Sequence, residues 1–421
     1  MGQLKALDPT LYSIEELQDA FYRENQFVER FYELITTSIQ PPFAISVDGL
    51  WGSGKTTLMK LLQRRLKDEY STFWFNPWEY QDAESIVLAF LQALSADAET
   101  KFGQAVKEGL KIVSVVGLLG MNIAINALLK PIVDLKMGDV KSVGEEYENA
   151  RKKEYEKYKD LIKIIQDDFR CLVKNIRNQK ERKEDKEKPI IIFFDDLDRC
   201  LPDKAIQLLE AVKNLFVVKD CQVIFICGID TRVAKQFIKS HYKDLQENFA
   251  INYFRKIFNL TISMPYTKNV YTMLLEYIKK LYEWDDAQSD ALAKMIYTRG
   301  LQAEISSART YLNIVHNFYA FRQFNAEKPN FSADREAAIH LLVVKEAWQS
   351  LYEELVREAL KNRLETMGEL VGRLLAADAQ KPEDKLESEQ RAFLEHYFVD
   401  SRSAFSRLVL ADLLFEYPTL A

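Results

Sequence analysis

The segment that most constrains the fold of this chain is glycine-rich and spans residues 49–57 (GLWGSGKTT). It matches the pattern G-x-x-x-x-G-K-[ST], in which a turn between a strand and a helix binds phosphate. Its flanks fit, because residues 43–48 (FAISVD) are typical of a buried strand and residues 58–66 (LMKLLQRRL) of a helix. In such a turn, backbone N–H groups face the phosphates and the helix dipole adds positive charge. The segment therefore predicts an anion site at the end of a strand.

The residue types in this loop predict the roles of its side chains. Lys55 is expected to reach the terminal phosphates of a nucleotide and to act in catalysis, and the Thr56 hydroxyl is expected to ligate Mg²⁺. The glycines permit unusual dihedral angles and a close approach of the backbone to the ligand. ATP and Mg²⁺ are the expected ligand and cofactor. The predicted nucleotide-binding residues are Gly49, Gly52, Ser53, Gly54, Lys55, Thr56 and Thr57.

A pair of carboxylates follows a second apolar run. Residues 190–194 (IIIFF) are typical of a buried parallel strand, and Asp195 and Asp196 come directly after it. With this kind of phosphate loop, Asp195 fits a Mg²⁺ ligand and Asp196 is the candidate that orients and deprotonates the attacking water. About 140 residues separate the two motifs, which suits ATPases whose motifs lie on non-adjacent strands. Asp198 and Arg199 either pair with each other or contact a neighbouring subunit.

The remaining pattern indicates an α/β fold followed by helices. Strand-like segments near 71–75, 222–228 and 258–264 alternate with helical ones, which indicates a parallel sheet. We therefore predict a nucleotide-binding domain over residues 1–266, with a helical insert at about 97–188, and an all-helical domain over 267–421. The helices expected in the second domain lie near 270–283, 288–299, 307–324, 333–363 and 391–415.

An uncharged stretch at residues 112–129 is long enough to suggest a membrane helix. It lies between the phosphate loop and Asp195, which must share one site, so the chain must cross any membrane an even number of times. The stretch is too short for two spans, and this excludes a single spanning helix. A buried helical insert, a membrane-surface or re-entrant hairpin, and an oligomer contact remain as interpretations.

A charged helix is expected over residues 145–176, with an apolar stripe of Tyr158, Ile162, Ile165, Phe169, Leu172 and Ile176. The stripe favours a helix that covers the sheet or pairs with its neighbour, and a short coiled coil is the alternative.

The net charge of −6 gives no general attraction to nucleic acid. The four cysteines form no C-x-x-C pair and the first residues do not have the character of a secretory signal, so a cytoplasmic location is expected. Peripheral attachment to the cytoplasmic face of a membrane is the alternative.

Three segments together resemble the KAP family of P-loop NTPases: residues 49–56, residues 75–80 (FNPWEY) and residues 194–200 (FDDLDRC). The resemblance implies an ATP-binding domain of the additional-strand (ASCE) type followed by a helical lid. It implies roles at the γ-phosphate for Lys256 or Arg255, within the chain or from a neighbour, and a sensing role for Arg309 on the lid. Family members often carry paired membrane helices where residues 112–129 lie.

These observations predict a Mg²⁺-dependent ATPase that acts as a conformational switch or assembly ATPase. The expected partner is a protein or a second copy of the chain, and the resemblance raises antiphage defence as a role. The alternative is a nucleotide-binding scaffold at the membrane surface with little or no hydrolysis.

Trp78 either caps the edge of the sheet or belongs to the site, and Glu79 is a second candidate for water activation.

Overall fold

A computed structural model of the chain describes residues 27–83, 85–102, 163, 165–179, 183–241, 254–264, 270–325, 331–378, 386–400 and 408–410. Five parallel strands form one sheet, and each lies where the sequence predicts a strand. In chain order they are β1 (Phe43–Asp48), β2 (Thr72–Phe75), β3 (Ile190–Phe194), β4 (Val223–Ile229) and β5 (Leu260–Ser263).

The strand order is β2-β3-β4-β1-β5, so β4 lies between β1 and β3. The phosphate loop follows β1 and the paired carboxylates follow β3, so the two motifs lie on non-adjacent strands, as their spacing suggests. All strand pairs are parallel. The carboxyl ends of β1, β3 and β4 therefore meet at one edge of the sheet, and this edge carries the candidate site.

Burial explains why the central strands are continuously apolar and the edge strands are not. Every residue of β3 and β4 is buried. In β2 half-buried positions alternate with buried ones, and in β5 half-buried positions alternate with exposed ones. Helices cover both faces of the central strands, so neither face can carry polar side chains toward solvent. Among the described residues, the α-helices of this region are α1 (Phe27–Glu33), α2 (Lys55–Leu66), α3 (Ile86–Phe102), α4 (165–178), α5 (Lys183–Glu187), α6 (Pro202–Ala211) and α7 (Thr231–His241).

Successive side chains of a strand point to opposite faces, and the sheet accordingly has two cores. On one face Ile45, Ile191 and Ile224 pack with α1 and α2. On the other face phenylalanines dominate, and the Phe90 ring lies 5.1 Å from that of Phe194. The predicted stripe on α4 belongs to this second core: Ile165, Phe169, Leu172 and Ile176 are buried in it. This part of the stripe therefore covers the sheet, and Tyr158 and Ile162 lie outside the described residues.

A short helix, α8 (254–257), precedes β5, and after β5 the described chain is almost entirely helical. These helices have their own apolar core, separate from those of the sheet, and we refer to residues 270–400 as the helical region. Its helices are α9 (Val270–Tyr282), α10 (Asp286–Gln302), α11 (Ala308–Asn325), α12 (Phe331–Ala347), α13 (Gln349–Lys361), α14 (Met367–Asp378) and α15 (Ser388–Leu394).

The single long helix predicted near 333–363 is wrong, because the chain breaks at Trp348 into α12 and α13. Trp348 has a non-helical backbone (φ −139°, ψ 67°), and its ring packs at 5.4 Å against that of Phe393. The break is set by this tertiary contact. Neither glycine nor proline marks it in the sequence, so a periodicity argument does not detect it.

Several predictions concern residues that the structure does not describe. Residues 112–129 and most of the predicted insert lie outside the described ranges, as does the predicted domain boundary at residue 266. Among the helices that are described, none combines the length and the apolar character needed to cross a bilayer.

Candidate functional site

The phosphate loop has the geometry that its glycines predict. Gly52 and Gly54 both have left-handed backbone angles, with φ of 75° and 93°, which side chains with a Cβ adopt only at a cost. Gly54 is the residue from which α2 begins. The loop is tied to the neighbouring strand, because the Gly49 N–H donates to the Ile229 carbonyl at 3.2 Å. The turn therefore passes from β1 into the N-terminus of α2 beside the end of β4.

Lys55 is the first residue of α2, and its ammonium is buried in the loop. The Nζ atom donates to the carbonyl of Gly49 at 2.7 Å and to that of Leu50 at 3.3 Å. A third contact, at 3.4 Å, is with Oδ2 of Asp198. The lysine thus lies at the predicted position, and its charge is balanced by a carboxylate that the sequence analysis did not assign to the site.

Asp195 lies at the end of β3 and is 2 % exposed. Burial, and then the neighbouring charge of Asp196, raise the pKa of Asp195 to about 7, although a hydrogen bond with the Thr56 side chain acts against this. Its Oδ1 atom is buried and has no hydrogen-bond partner among the described residues. A buried carboxylate oxygen without a donor, beside a threonine hydroxyl, is a donor set that suits a hard divalent cation. The predicted pair of Mg²⁺ ligands is therefore brought together.

Asp196 has a left-handed backbone (φ 56°) at the start of the turn after β3. Burial raises the pKa of Asp196, and the positive charges of Arg199 and Arg309 act against this. Arg199 Nε lies 3.0 Å from Asp196 Oδ1. The suggested pairing of Asp198 with Arg199 is therefore wrong, since Arg199 pairs with Asp196 and Asp198 faces the phosphate loop.

Asp198 is the residue that the sequence reasoning missed. Its Oδ2 atom accepts hydrogen bonds from the Trp51 indole N–H at 2.8 Å and from the Asp230 backbone N–H at 3.1 Å. Together with the contact to Lys55, these bonds connect the phosphate loop to the ends of β3 and β4. The sequence does show a third acid in the segment DDLD. The short turn at Leu197–Arg199 decides where the side chain of this acid points, and the spacing of the acids alone does not predict that turn.

The end of β4 contributes an acid, Asp230, and the capped N-terminus of α7 to the site. Burial raises the pKa of Asp230, but hydrogen bonds from Arg232 outweigh this and leave it below the ordinary value. The Thr231 N–H donates to Asp48 Oδ1 at 2.9 Å, and its hydroxyl donates to Oδ2 at 3.0 Å. Asp48 at the end of β1 therefore satisfies the N-terminus of α7, and the three central strands are locked together at the edge that carries the loop.

The helical region contacts the phosphate loop directly. The Arg309 N–H, in the first turn of α11, donates to the Gly52 carbonyl at 3.3 Å. A Cβ placed on Gly52 would overlap the Ser307 hydroxyl and approach the Arg309 Cβ to 2.6 Å. The positive charge of Arg309 also acts on Asp196. Arg309 is thus placed beside the predicted site residues.

The other predicted cations are placed elsewhere. Arg255 and Lys256 are exposed on α8, which precedes β5. The Asn259 N–H donates to the Ala44 carbonyl, at the amino end of β1. Because the strands are parallel, α8 lies at the edge of the sheet opposite the phosphate loop. The structure does not bring Lys256 to the loop within one chain, and a role in a neighbouring subunit stays a prediction.

Aromatic side chains border the site. Trp51 and Trp78 are 54 % and 44 % exposed, and the Arg199 guanidinium lies 6.0 Å from each ring. Trp78 therefore lies beside the site, and Tyr80 is the residue that stacks on Phe75 at the end of β2, at 4.9 Å. Glu79 accepts a hydrogen bond from the Asn76 side chain at 3.1 Å, which fixes it within its own turn.

A family model for the KAP family P-loop domain matches residues 24–325, which include all five strands, the phosphate loop and the first helices of the helical region. The chain belongs to the KAP family. Membership in this family of P-loop NTPases indicates that the site binds a nucleotide. A comparison with individual characterised proteins gives no significant match.

Proposed function

We propose that this KAP protein is a Mg²⁺-dependent ATPase of the additional-strand type and that hydrolysis switches the relation between its sheet and its helical region. The observation that carries the proposal is the meeting of Lys55 and Thr56 with Asp195 and Asp196 at one edge of the sheet. The position of β4 between β1 and β3 supports the additional-strand assignment. The buried, unpartnered Oδ1 of Asp195 supports a divalent cation.

Each residue has a separate task in this proposal. The loop from Gly49 to Thr57, Ser53 included, presents backbone N–H groups to the phosphates, and Lys55 donates to their terminal oxygens. Thr56 and Asp195 would hold Mg²⁺, which when bound neutralises charge that develops on the β- and γ-phosphates. Asp196 has a raised pKa and lies one residue beyond the metal ligand, so it is suited to orient the attacking water and to accept its proton.

The contact between Gly52 and Arg309 supports the switch. A loop that changes shape when phosphate binds would move the carbonyl that accepts from the Arg309 N–H, and with it the start of α11. Arg309 acts on Asp196 electrostatically and is our candidate for the residue that senses the γ-phosphate. In this proposal the output is engagement of a protein partner or self-assembly in the cytoplasm, and a role in antiphage defence rests on family analogy alone.

The test measures ATP binding and phosphate release for two variants with matched controls. Lys55→Ala should lose measurable ATP binding, whereas Lys67→Ala, at the exposed end of the same helix, should behave as the parent. Asp196→Asn should bind ATP and hydrolyse it about 10²–10⁴-fold more slowly. Asp203→Asn, an exposed acid on α6, is its control. Hydrolysis at the parental rate by both site variants would overturn the proposal.

A further inference from the structure

The buried carboxylate of Asp198 contacts the phosphate loop through two side chains. Its side chain is 1 % exposed, and its Oδ2 atom has three partners: Trp51 Nε1 at 2.8 Å, the Asp230 N–H at 3.1 Å and Lys55 Nζ at 3.4 Å. Two of these partners belong to the loop and one to the end of β4. Asp198 therefore provides a side-chain connection between the loop and the end of β4, in addition to the backbone bond from Gly49 to Ile229.

The Lys55 ammonium has three N–H donors, and each has an acceptor from the protein. These acceptors are the carbonyls of Gly49 and Leu50 and the carboxylate of Asp198. Phosphate can receive the full charge of Lys55 only if some of these contacts are given up. The carboxylate contact is the longest of the three and the only one to a charged group, so it competes with phosphate for the same cation.

The other two partners of Asp198 lower the cost of moving Lys55 from the carboxylate to phosphate. When Lys55 moves away, the Trp51 indole and the Asp230 N–H still donate to the carboxylate, so a buried anion is not left without hydrogen bonds. The same two donors keep Asp198 in place for the return of Lys55. A hydrophobic or neutral residue at this position would offer no competing charge.

We propose that Asp198 is a positioning residue that retains Lys55 and Trp51 in the arrangement described above, and that binding of a nucleotide phosphate transfers Lys55 from Asp198 to the ligand. This inference rests on the proposed nucleotide site and adds a mechanism by which Lys55 is positioned before phosphate binds. Asp198 sets the affinity for nucleotide, and it leaves the chemical step to Lys55, Asp195 and Asp196.

The first test uses Asp198→Asn, which keeps an acceptor oxygen for the neutral donors and removes the charge that attracts Lys55. Calorimetric titration with ADP and Mg²⁺ should show affinity about three- to tenfold tighter than the parent. The KM for ATP should fall with it, while turnover at saturating ATP stays within about threefold. The control Asp203→Asn should match the parent. Unchanged or weaker ADP binding by Asp198→Asn would overturn the inference.

A second variant keeps the test available if Asp198→Asn does not fold. Trp51→Phe removes one neutral donor from an exposed side chain and leaves Asp198 more dependent on Lys55. ADP should then bind at least about twofold more weakly, in the opposite direction to Asp198→Asn. Tighter or unchanged binding in Trp51→Phe contradicts the competition between carboxylate and phosphate.

A thermal-melting cycle without nucleotide separates this inference from the proposed function. Lys55→Met leaves Asp198 buried without its cation, so adding Asp198→Asn should raise the melting temperature of the Lys55→Met chain. In the parent chain the same substitution should lower it. Additive effects would overturn the inference while leaving nucleotide binding intact. If the parent itself binds neither ADP nor ATP, the proposed function and this inference both fail.

Discussion

Asp195 at the sheet edge and His340 in the helical region are both almost completely buried, yet their surroundings differ in one respect. Asp195 has an oxygen without a hydrogen-bond donor among the described residues. His340 has a partner at each ring nitrogen: Nε2 accepts from Arg299 Nε at 3.1 Å, and Nδ1 lies 2.6 Å from the Glu336 carbonyl. Asp195 thus keeps an oxygen without a donor among the described residues, whereas the fold supplies a partner to each ring nitrogen of His340.

The two environments give opposite dependences on pH. Burial raises the pKa of Asp195 to about 7, so its folded form keeps a proton that the unfolded chain has lost. Its contribution to stability therefore falls as pH rises through the range from about 4 to 7. Burial, assisted by Arg299, lowers the pKa of His340 to about 3, so its contribution is lost as pH falls from about 6.5 toward 3. The contribution of Asp195 to stability therefore rises on acidification, and that of His340 falls.

The largest effect is expected from Asp195→Asn, which separates activity from stability. Turnover should fall by about 10³-fold or more, because the proposed Mg²⁺ ligand is lost. The nucleotide-free variant should nevertheless melt at a higher temperature than the parent at pH 8, since a buried charge that costs up to about 4 kcal/mol is removed. The gain should disappear near pH 4. Melting curves at both pH values check this, and a lower melting temperature at pH 8 would show that Asp195 is satisfied in the free protein.

Gly52→Ala tests whether the two regions are coupled through the loop. The left-handed backbone at this position disfavours alanine by about 1–2 kcal/mol, and overlap with the Ser307 hydroxyl adds a comparable cost. We expect a loss of about 2–3 kcal/mol in the free energy of unfolding. Adding Ser307→Gly should recover the free energy lost through steric overlap, and the cost of the left-handed backbone should remain. Gly372, beside which the structure shows open space, provides the control substitution Gly372→Ala. Equal losses at the two glycines would mean that the loop contact is not specific.

His340→Gln tests whether the buried His340 causes the predicted pH dependence of stability in the helical region. Between pH 7 and pH 5 the histidine should contribute a loss of about 2 kcal/mol in unfolding free energy, because the unfolded chain gains a proton that the folded chain excludes. Glutamine keeps a hydrogen-bonding side chain and cannot titrate, so this part of the pH dependence should vanish. Urea unfolding at the two pH values gives the comparison. A variant that keeps the parental slope would assign the acid sensitivity to other groups.

Some features of the fold and of the site could be predicted from the sequence, and others could not. The strands were predictable because a buried parallel strand is a continuous apolar run, such as residues 190–194. The phosphate loop was predictable because glycines with left-handed backbone angles occur in it at a fixed spacing. The role of Asp198 and the break at Trp348 were not predictable, since both depend on contacts with distant residues: Lys55 is 143 positions from Asp198, and Phe393 packs on Trp348. Local pattern predicts elements and motifs. Which way a charged side chain turns at a strand end is decided by the assembled sheet.

The smallest effect is expected from Lys256→Ala, which tests whether activity is confined to the carboxyl edge of the sheet. Lys256 is exposed on α8 at the opposite edge, so one chain cannot bring it to its own phosphate loop. ATP turnover of dilute protein should change by less than about twofold, the range of an ordinary surface substitution. The measurement should be repeated over a range of protein concentrations, with Lys67→Ala as the control. If the parental rate rises steeply with concentration and Lys256→Ala abolishes that rise, the lysine acts on a neighbouring subunit. The site is then completed by assembly and is no longer confined to one edge of one chain.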